Sequence, residues 1–261
     1  MTRNVRTQVA LITGAADGIG WAMARRFAAA GYRVVLADLD HDRAAARAAE
    51  LGAQHLAVWA DVADETSAVA MVEETVSRLG GLDILVNNAG IGDSHKPTLE
   101  QDLASFDRIL RVHLDGTFVA SREAARAMVG QGGVILNVSS IAGLTGLPRR
   151  NAYGAAKAGI VAMTKSMACE WAGAGIRVNA IAPGYVGTAL VAKLVEAGRI
   201  DRGRLERRIP LGRLADPAEI AETAWFLCSP SASYVTGAVL SVDGGWSAYG
   251  DAGDASPASE A

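Results

Sequence analysis

Cysteine is nearly absent from this chain, at two residues in 261, which excludes a small disulfide-stapled scaffold. Cys169 and Cys228 each fall in a segment of helical periodicity, and both are expected to be buried thiols in a reducing compartment. Histidine is scarce too. His41, His55, His95 and His113 show no metal-ligand spacing, so no metal centre is expected. There is no basic block, and the net charge is only −3. Nucleic acid and anionic membrane are therefore poor partners. The apolar run in MTRNVRTQVALITG is too short for a signal peptide or a membrane span, and the expected location is the cytoplasm.

What the chain has is apolar residues, half of the total, enough for one large core. They come in short runs alternating with helical patterns, and no linker or internal repeat interrupts them. The alternation predicts a single-domain, Rossmann-type α/β fold over residues 1–249: a doubly wound parallel sheet of about seven strands with helices on both faces. The last residues, GDAGDASPASEA (250–261), read as a flexible tail unless a partner subunit holds them. The segment 185–213 interrupts the alternation just after a strand end, with several glycines and basic residues among scattered leucines. It is expected to be a substrate lid; a pair of surface helices with a solvated basic face is the alternative.

The first strand, Gln8 to Thr13, runs into TGAADGIG (13–20) and then a helix. Gly14, Gly18 and Gly20, with Asp17 and Ile19, thus lie where a backbone can approach a pyrophosphate at a helix N-terminus. Asp38 ends the second strand, RVVLA plus Asp. It could bind both ribose hydroxyls and repel a 2′-phosphate, and Asp17 adds negative charge. Both favour NAD; the alternative is that Asp38 merely caps the next helix, with Asp40 and Asp42 nearby. Gly14, Asp38, Asp61, Asn88, Ser140 and Pro183 all follow predicted strands, so they fall along one edge of the sheet, where ligands of such folds sit.

The stretch NVSSIAGLTGLPRRNAYGAAK (137–157) lies at that edge. Tyr153 and Lys157 are four residues apart, one turn along the same face if Asn151 onward is helical. A positive charge beside a phenol lowers its pKa of about 10 toward the working pH, which suits acid–base chemistry. Ser140, after an apolar strand, can point at the same spot. Alone, this stretch reads equally well as an ordinary strand–loop–helix with an exposed Tyr and Lys.

The ordered set TGAADGIG (13–20), Asp61-Val62, NNAG (87–90), Ser140 with Tyr153 and Lys157, PGYVGT (183–188) and DGG (243–245) resembles the classical short-chain dehydrogenase/reductase family from Gln8 to Trp246. The resemblance implies an NAD-dependent enzyme acting on CH–OH groups. Tyr153 would be the proton donor or acceptor and Ser140 would hold the substrate oxygen. Lys157 would bind the nicotinamide ribose and depress the tyrosine pKa. Asp61 and Val62 would contact adenine and Asn88 the adjacent ribose, with Gly90 beside it. Pro183, Gly184, Val186 and Thr188 would cover the nicotinamide amide. A homotetramer is implied, with the helix of Tyr153 and the one before the fifth strand at an interface. One departure stands out: RVHLDGTF places His113 where the family usually has asparagine, thought to support a helix irregularity and a proton path to the lysine. His113 could replace that proton role or be a hydrogen-bonded histidine in a helix bend.

The substrate is less determined. Pocket candidates are 92–96, including His95, and 144–150, including Arg149 and Arg150. Scarce aromatics argue against a large flat ligand, and the polar mixture suits a sugar, a polyol or another small hydroxylated compound. The resemblance is to bacterial sugar and polyol dehydrogenases of the family. Arg149 and Arg150 could bind a carboxylate, phosphate or sulfonate, or face solvent or a neighbouring subunit. Two other functions stay open: reduction of a small ketone or 3-oxoacyl thioester, and a non-catalytic NAD-binding sensor or scaffold.

Overall fold

The apolar run VALIT forms strand β1 (Val9–Thr13), buried along its whole length, in a computed structural model that describes residues 7–198, 200–251 and 253–256. The chain continues through α1 (Gly18–Ala29), β2 (Arg33–Asp38), α2 (His41–Leu51), β3 (Leu56–Trp59), α3 (Glu65–Leu79) and β4 (Ile84–Asn87). It then forms α4 (Leu103–Leu110), α5 (Gly116–Met128), β5 (Gly133–Val138), α6 (Asn151–Trp171) and β6 (Ile176–Pro183). The last elements are α7 (Ala189–Glu196), α8 (Arg202–Arg208), α9 (Pro217–Cys228) and β7 (Val239–Val242).

The strands make one seven-stranded sheet in the order β3-β2-β1-β4-β5-β6-β7, parallel throughout. Side chains alternate across it. Ala10, Ile12, Val34, Leu36, Ile84 and Val86 join the core under α1 and α9. Their neighbours Val9, Leu11, Val35, Ala37 and Leu85 join the core under α3, α5 and α6. Burial on both faces is why these strands are continuous apolar runs. The order reverses between β1 and β4, the switch point of the doubly wound sheet, and ligand clefts form beyond the carboxyl ends of strands there.

Helix starts are set locally by aspartates. Asp40, Asp64 and Asp102 each accept the backbone N–H three residues on, and α9 carries a capping box of Asp216 and Glu219 with Pro217 in its first turn. Asp40 capping α2 leaves Asp38 free of the capping role considered for it.

The helical periodicity of 103–128 is realised as α4 and α5 joined through a π-turn at Arg111–Asp115, the kind of irregularity that the resemblance implies around His113. Two expectations are corrected. Cys228 is buried, and burial pushes its thiol up to about 12, but Cys169 is exposed. Helical geometry turns it about 100° away from the buried Ala168 beside it. The tail expected to be flexible from residue 250 is held in part: the Ala255 and Ser256 N–H groups both donate to the Arg207 carbonyl at 2.8 and 2.9 Å, and Arg207 pairs with Asp254. Residues 252 and 257–261 of that tail, and Arg199 of the expected lid, lie outside the described residues. The excursion carrying α7 and α8 is closed at its neck, where Val186 bridges Ala215, Gly187 N–H donates to Ala215 O and Ala215 N–H to Tyr185 O.

Candidate active site

The glycine loop leaves β1 with Gly14 in a left-handed conformation, φ 63. A Cβ there would lie 2.9 Å from the Ala89 Cα, so only glycine fits. Gly20 is equally confined, since its Cβ would run into the Gly14 carbonyl oxygen and the Asn88 amide. Asn88 braces this loop: its side-chain amide donates to Thr13 O at 2.9 Å and Gly14 O at 3.0 Å. Both its amide donors are spent on the main chain. The Thr13 hydroxyl adds a second brace, accepting the Asn88 and Ala89 N–H groups at 3.0 Å each. Ile19 lies partly buried in the first turn of α1, and Asp17 caps that helix at the Gly18 N–H.

Asp38 stands beside the loop. Its carboxylate accepts Ala16 N–H at 2.9 Å and Asp40 N–H at 3.0 Å, which fixes its orientation. The cation nearest this rim, Arg43, is engaged by Asp17 at 3.1 Å and Asp40 at 3.4 Å. Asp61 and Val62 follow β3; the Asp61 side chain accepts Ala63 N–H. Pro183 closes β6, Gly184 N–H donates to Val242 O, and the Thr188 methyl lies against Gly18. Thr188 also caps α7. The loop after β6 therefore reaches the glycine loop across the strand ends.

Ser140, Tyr153 and Lys157 meet at the end of β5. Lys157 is buried, 4% exposed, and its ammonium donates to Val138 O at 2.7 Å. No other hydrogen bond engages it among the described residues, so donors of the ammonium remain for an acceptor. Its Nζ lies 5.5 Å from the Tyr153 ring centre. Burial lowers the Lys157 pKa to about 7. Burial also raises that of the Tyr153 phenol, while the Ser140 hydroxyl and the Arg150 charge pull it down. Burial is the dominant effect, and the charge that lowers the phenol here is that of Arg150 and not the Lys157 ammonium. Ser140 Oγ accepts the Ala142 N–H at 3.1 Å and so starts a 3₁₀ turn, Ile141–Gly143. Gly143 presses that turn onto α6, with no room for a Cβ against the Lys157 carbonyl.

His113 lies in the π-turn, 2% exposed, edge-on to Tyr153 with ring centres 5.2 Å apart. Its Nε2 faces the Ile91 main chain, 3.1 Å from N and 2.9 Å from O, and its Nδ1 is buried without a partner. Burial first, then the Lys157 charge, holds its pKa at about 3, so the ring is neutral. Its ring covers Gly90, where any Cβ would strike it.

A buried polar chain, invisible to motif reading, locks these elements together. Asn87 donates to Ser121 and Asn137 at 2.8 Å, and Asn137 donates to Thr164 at 2.9 Å. It joins β4, α5, β5 and α6. The signal available was Asn137, a polar residue inside an apolar strand. Asp93 was also missed as an anchor: it accepts Tyr153 N–H at 3.3 Å and so caps the helix that carries the tyrosine. Of the substrate candidates, His95 (φ 59) and Arg149 (φ 66) hold left-handed backbone. Arg149 is exposed, whereas Arg150 is partly buried with its guanidinium 5.8 Å from the Tyr153 ring centre.

Comparison with known proteins agrees with this geometry. The profile of a family described as enoyl-(acyl carrier protein) reductase matches residues 14–247. The chain is 44% identical to cis-4-hydroxycyclohexanecarboxylate dehydrogenase of Sinomonas cyclohexanicum, over 92% of this chain and 97% of that protein. It is 43% identical to the L-tagatose-forming galactitol 2-dehydrogenase of Cereibacter sphaeroides, over 92% and 95%. The crystal structure of 3-ketoacyl-(acyl-carrier-protein) reductase from Brucella melitensis complexed with NADH superposes with a TM-score of 0.86 at 42% identity, covering 93% of this chain and 99% of that one. A 45% identical short-chain type dehydrogenase/reductase of Sinorhizobium fredii is longer, and the chain spans 46% of it.

Proposed function

Because the chain belongs to the short-chain dehydrogenase/reductase family, we propose that it is an NAD-dependent oxidoreductase interconverting a secondary alcohol and its ketone. The observation carrying this reading is the convergence of Ser140, Tyr153 and the incompletely hydrogen-bonded Lys157 ammonium at one strand end. A nicotinamide dinucleotide supplies the hydride acceptor or donor. The glycine loop offers it backbone N–H groups at the start of α1, Asp38 a carboxylate for ribose hydroxyls, and Lys157 a donor for the second ribose. Asp61, Val62, Gly90, Pro183, Gly184, Val186 and Thr188 line the same edge.

In alcohol oxidation the Tyr153 phenolate oxygen takes the hydroxyl proton, and in reduction the phenol returns it. Ser140 Oγ holds the substrate oxygen. Lys157 is coupled to this step: a phenolate beside it raises the lysine's own proton affinity, so the pair stabilises phenolate and ammonium together. His113, neutral at working pH, serves as a wall that positions the Tyr153 ring and the Ile91 main chain, and its bare Nδ1 is the atom through which it could pass a proton. The segment 185–213 acts as the substrate lid, and the described residues up to 249 form one domain.

The substrate class supported best is a sugar, a polyol or another small hydroxylated compound, on the strength of the galactitol dehydrogenase relative and of polar residues at 93–96 and 149–150. A cytoplasmic homotetramer is the matching assembly; exposed Leu103 and Phe118 on α4 and α5 supply apolar surface for it. Among the described residues no helix is long and apolar enough to cross a membrane. A second reading, reduction of a 3-oxoacyl thioester, draws on the ketoacyl reductase structure. Screening sugars, polyols and hydroxy acids with NAD and NADP separates them. Turnover of secondary alcohols with NAD supports the first; turnover of an oxoacyl thioester alone supports the second; confirmed NAD binding with no turnover of either overturns both.

A further inference from the structure

We propose that Arg150, and not Arg149, is the residue that selects the substrate, by binding an oxyanion carried by the secondary alcohol a few bonds from its carbinol carbon. This rests on the oxidoreductase reading above and assigns a substrate class to the same site.

The two adjacent arginines are separated by the backbone. Arg149 adopts a left-handed conformation, φ 66, which costs a non-glycine residue on the order of 1 kcal/mol. It leaves the Arg149 side chain in solvent and places Arg150 one turn before Tyr153. Residues three apart at a helix start share a face, and the guanidinium lies 5.8 Å from the Tyr153 ring centre. Its charge acts on two phenols, Tyr153 and Tyr185. It therefore lies near both the proton-transfer group and Tyr185, at the start of the 185–213 excursion.

What marks Arg150 is that, apart from the Tyr153 ring, no acceptor or carboxylate meets its guanidinium among the described residues. Among the described arginines that are partly shielded from water, Arg26, Arg47 and Arg122 pair with glutamates. Arg33, Arg177 and Arg208 donate to main-chain carbonyls. Arg150 is partly buried and has neither. The remaining unpaired arginines are exposed, where water serves them. Asp93, which caps the start of α6, is oriented by main-chain donors: one oxygen accepts Tyr153 N–H and the other accepts Ser94 N–H, and no ion pair joins it to Arg150 among the described residues. A half-desolvated guanidinium with five donors in a planar fork and no acceptor is matched by a carboxylate, sulfonate or phosphate. Because the phenol that handles the substrate proton is its neighbour, the anion and the reacting hydroxyl belong to one molecule.

The test compares hydroxy acids with their primary amides, which keep shape and remove charge: 3-hydroxybutyrate and 4-hydroxycyclohexanecarboxylate, each against its amide, with saturating NAD. The wild type is expected to favour the acid by about tenfold or more in kcat/KM. Arg150→Gln should lower the acid-to-amide ratio by about tenfold, chiefly through KM for the acid, Arg150→Lys should restore part of it, and Arg149→Gln should leave the ratio in place. Equal use of acid and amide by the wild type overturns the proposal. So does an Arg150→Gln variant that loses acid and amide equally, which would mark a structural role or a contact with a neighbouring subunit. If no alcohol is turned over, the oxidoreductase reading fails by itself. Arg150 is then judged by fluorescence titration of the NAD-bound protein with acid and amide: tighter acid binding lost in Arg150→Gln sustains the anion site, and indifference to charge removes it.

Discussion

Gly14 and Arg149 hold nearly the same left-handed backbone, φ 63 and φ 66, and their surroundings differ. At Gly14 any side chain would press on the Ala89 backbone, 2.9 Å from its Cα. At Arg149 the side chain is in solvent. The contrast extends to the two halves of the site. The cofactor half is made of main chain: a loop with no room for a Cβ, braced by Thr13 and Asn88, with Asp38 pinned by two N–H groups. The proposed substrate half is made of side chains on irregular segments, 92–96 and 144–150, which hold two left-handed residues, His95 and Arg149, and the Arg150 guanidinium. A site divided this way can keep one reaction and change substrates, because loops on the second half vary without disturbing the packed loop of the first.

The largest effect belongs to the group that both halves serve. Tyr153→Phe is expected to lower kcat roughly 10³-fold with the circular dichroism spectrum unchanged; turnover within a few-fold of wild type would break the assignment.

Next comes His113, where the halves touch. Its pKa of about 3 lies below the ordinary value of about 6.5, so between these values the unfolded chain takes a proton that the folded chain refuses. Its contribution is full above about pH 6.5 and is lost as pH falls toward 3. Between pH 7 and pH 4 the wild type should therefore lose roughly 3 kcal/mol more stability than His113→Asn, read from urea melts at both pH values. Parallel pH dependence in the two proteins would show that the histidine is not buried neutral.

The contrast between the left-handed residues is tested directly. Gly14→Ala should destabilise by about 2 kcal/mol or more and weaken NAD binding, since both conformation and space oppose it. Arg149→Gly should change stability by less than about 1 kcal/mol, and upward, because only strain is relieved. Equal losses in thermal melts would mean that the 144–150 turn is as tightly packed as the glycine loop.

The smallest effect concerns cofactor choice. Asp38→Asn removes the charge that opposes a 2′-phosphate but leaves Arg43 held by Asp17 and Asp40. The NAD-to-NADP preference in Kd should fall by about tenfold without inverting. Inversion by this single change would show that Arg43 is free to turn.

Much of this was legible in the residues. The seven apolar runs became seven strands because a strand buried on both faces must be apolar throughout. Gly14, Asp38, Ser140, Tyr153 and Lys157 could be placed at one sheet edge because each follows a strand end or lies one turn along a helix. The π-turn at Arg111–Asp115 was legible only through the family resemblance, which implies a helix irregularity around His113; the periodicity of 103–128 continues through it, and one extra residue in the helical repeat leaves the apolar pattern almost unchanged. Cys169 was misread because a single position on a helix with apolar residues around most of its surface does not declare its face.

By itself, then, the sequence determined the order of elements, the glycine loop and which functional groups meet at the end of β5, since these depend on local spacing and on residue type. Tertiary structure decided the rest. It turned Asn88 inward as a brace and raised the Tyr153 phenol by burial where a charge alone would have lowered it. It made His113 neutral and left Arg150, of two adjacent arginines, beside the phenol without an anion. Hydration and charge partners are properties of the packed neighbourhood, brought together from segments far apart in the chain, and no local pattern encodes them.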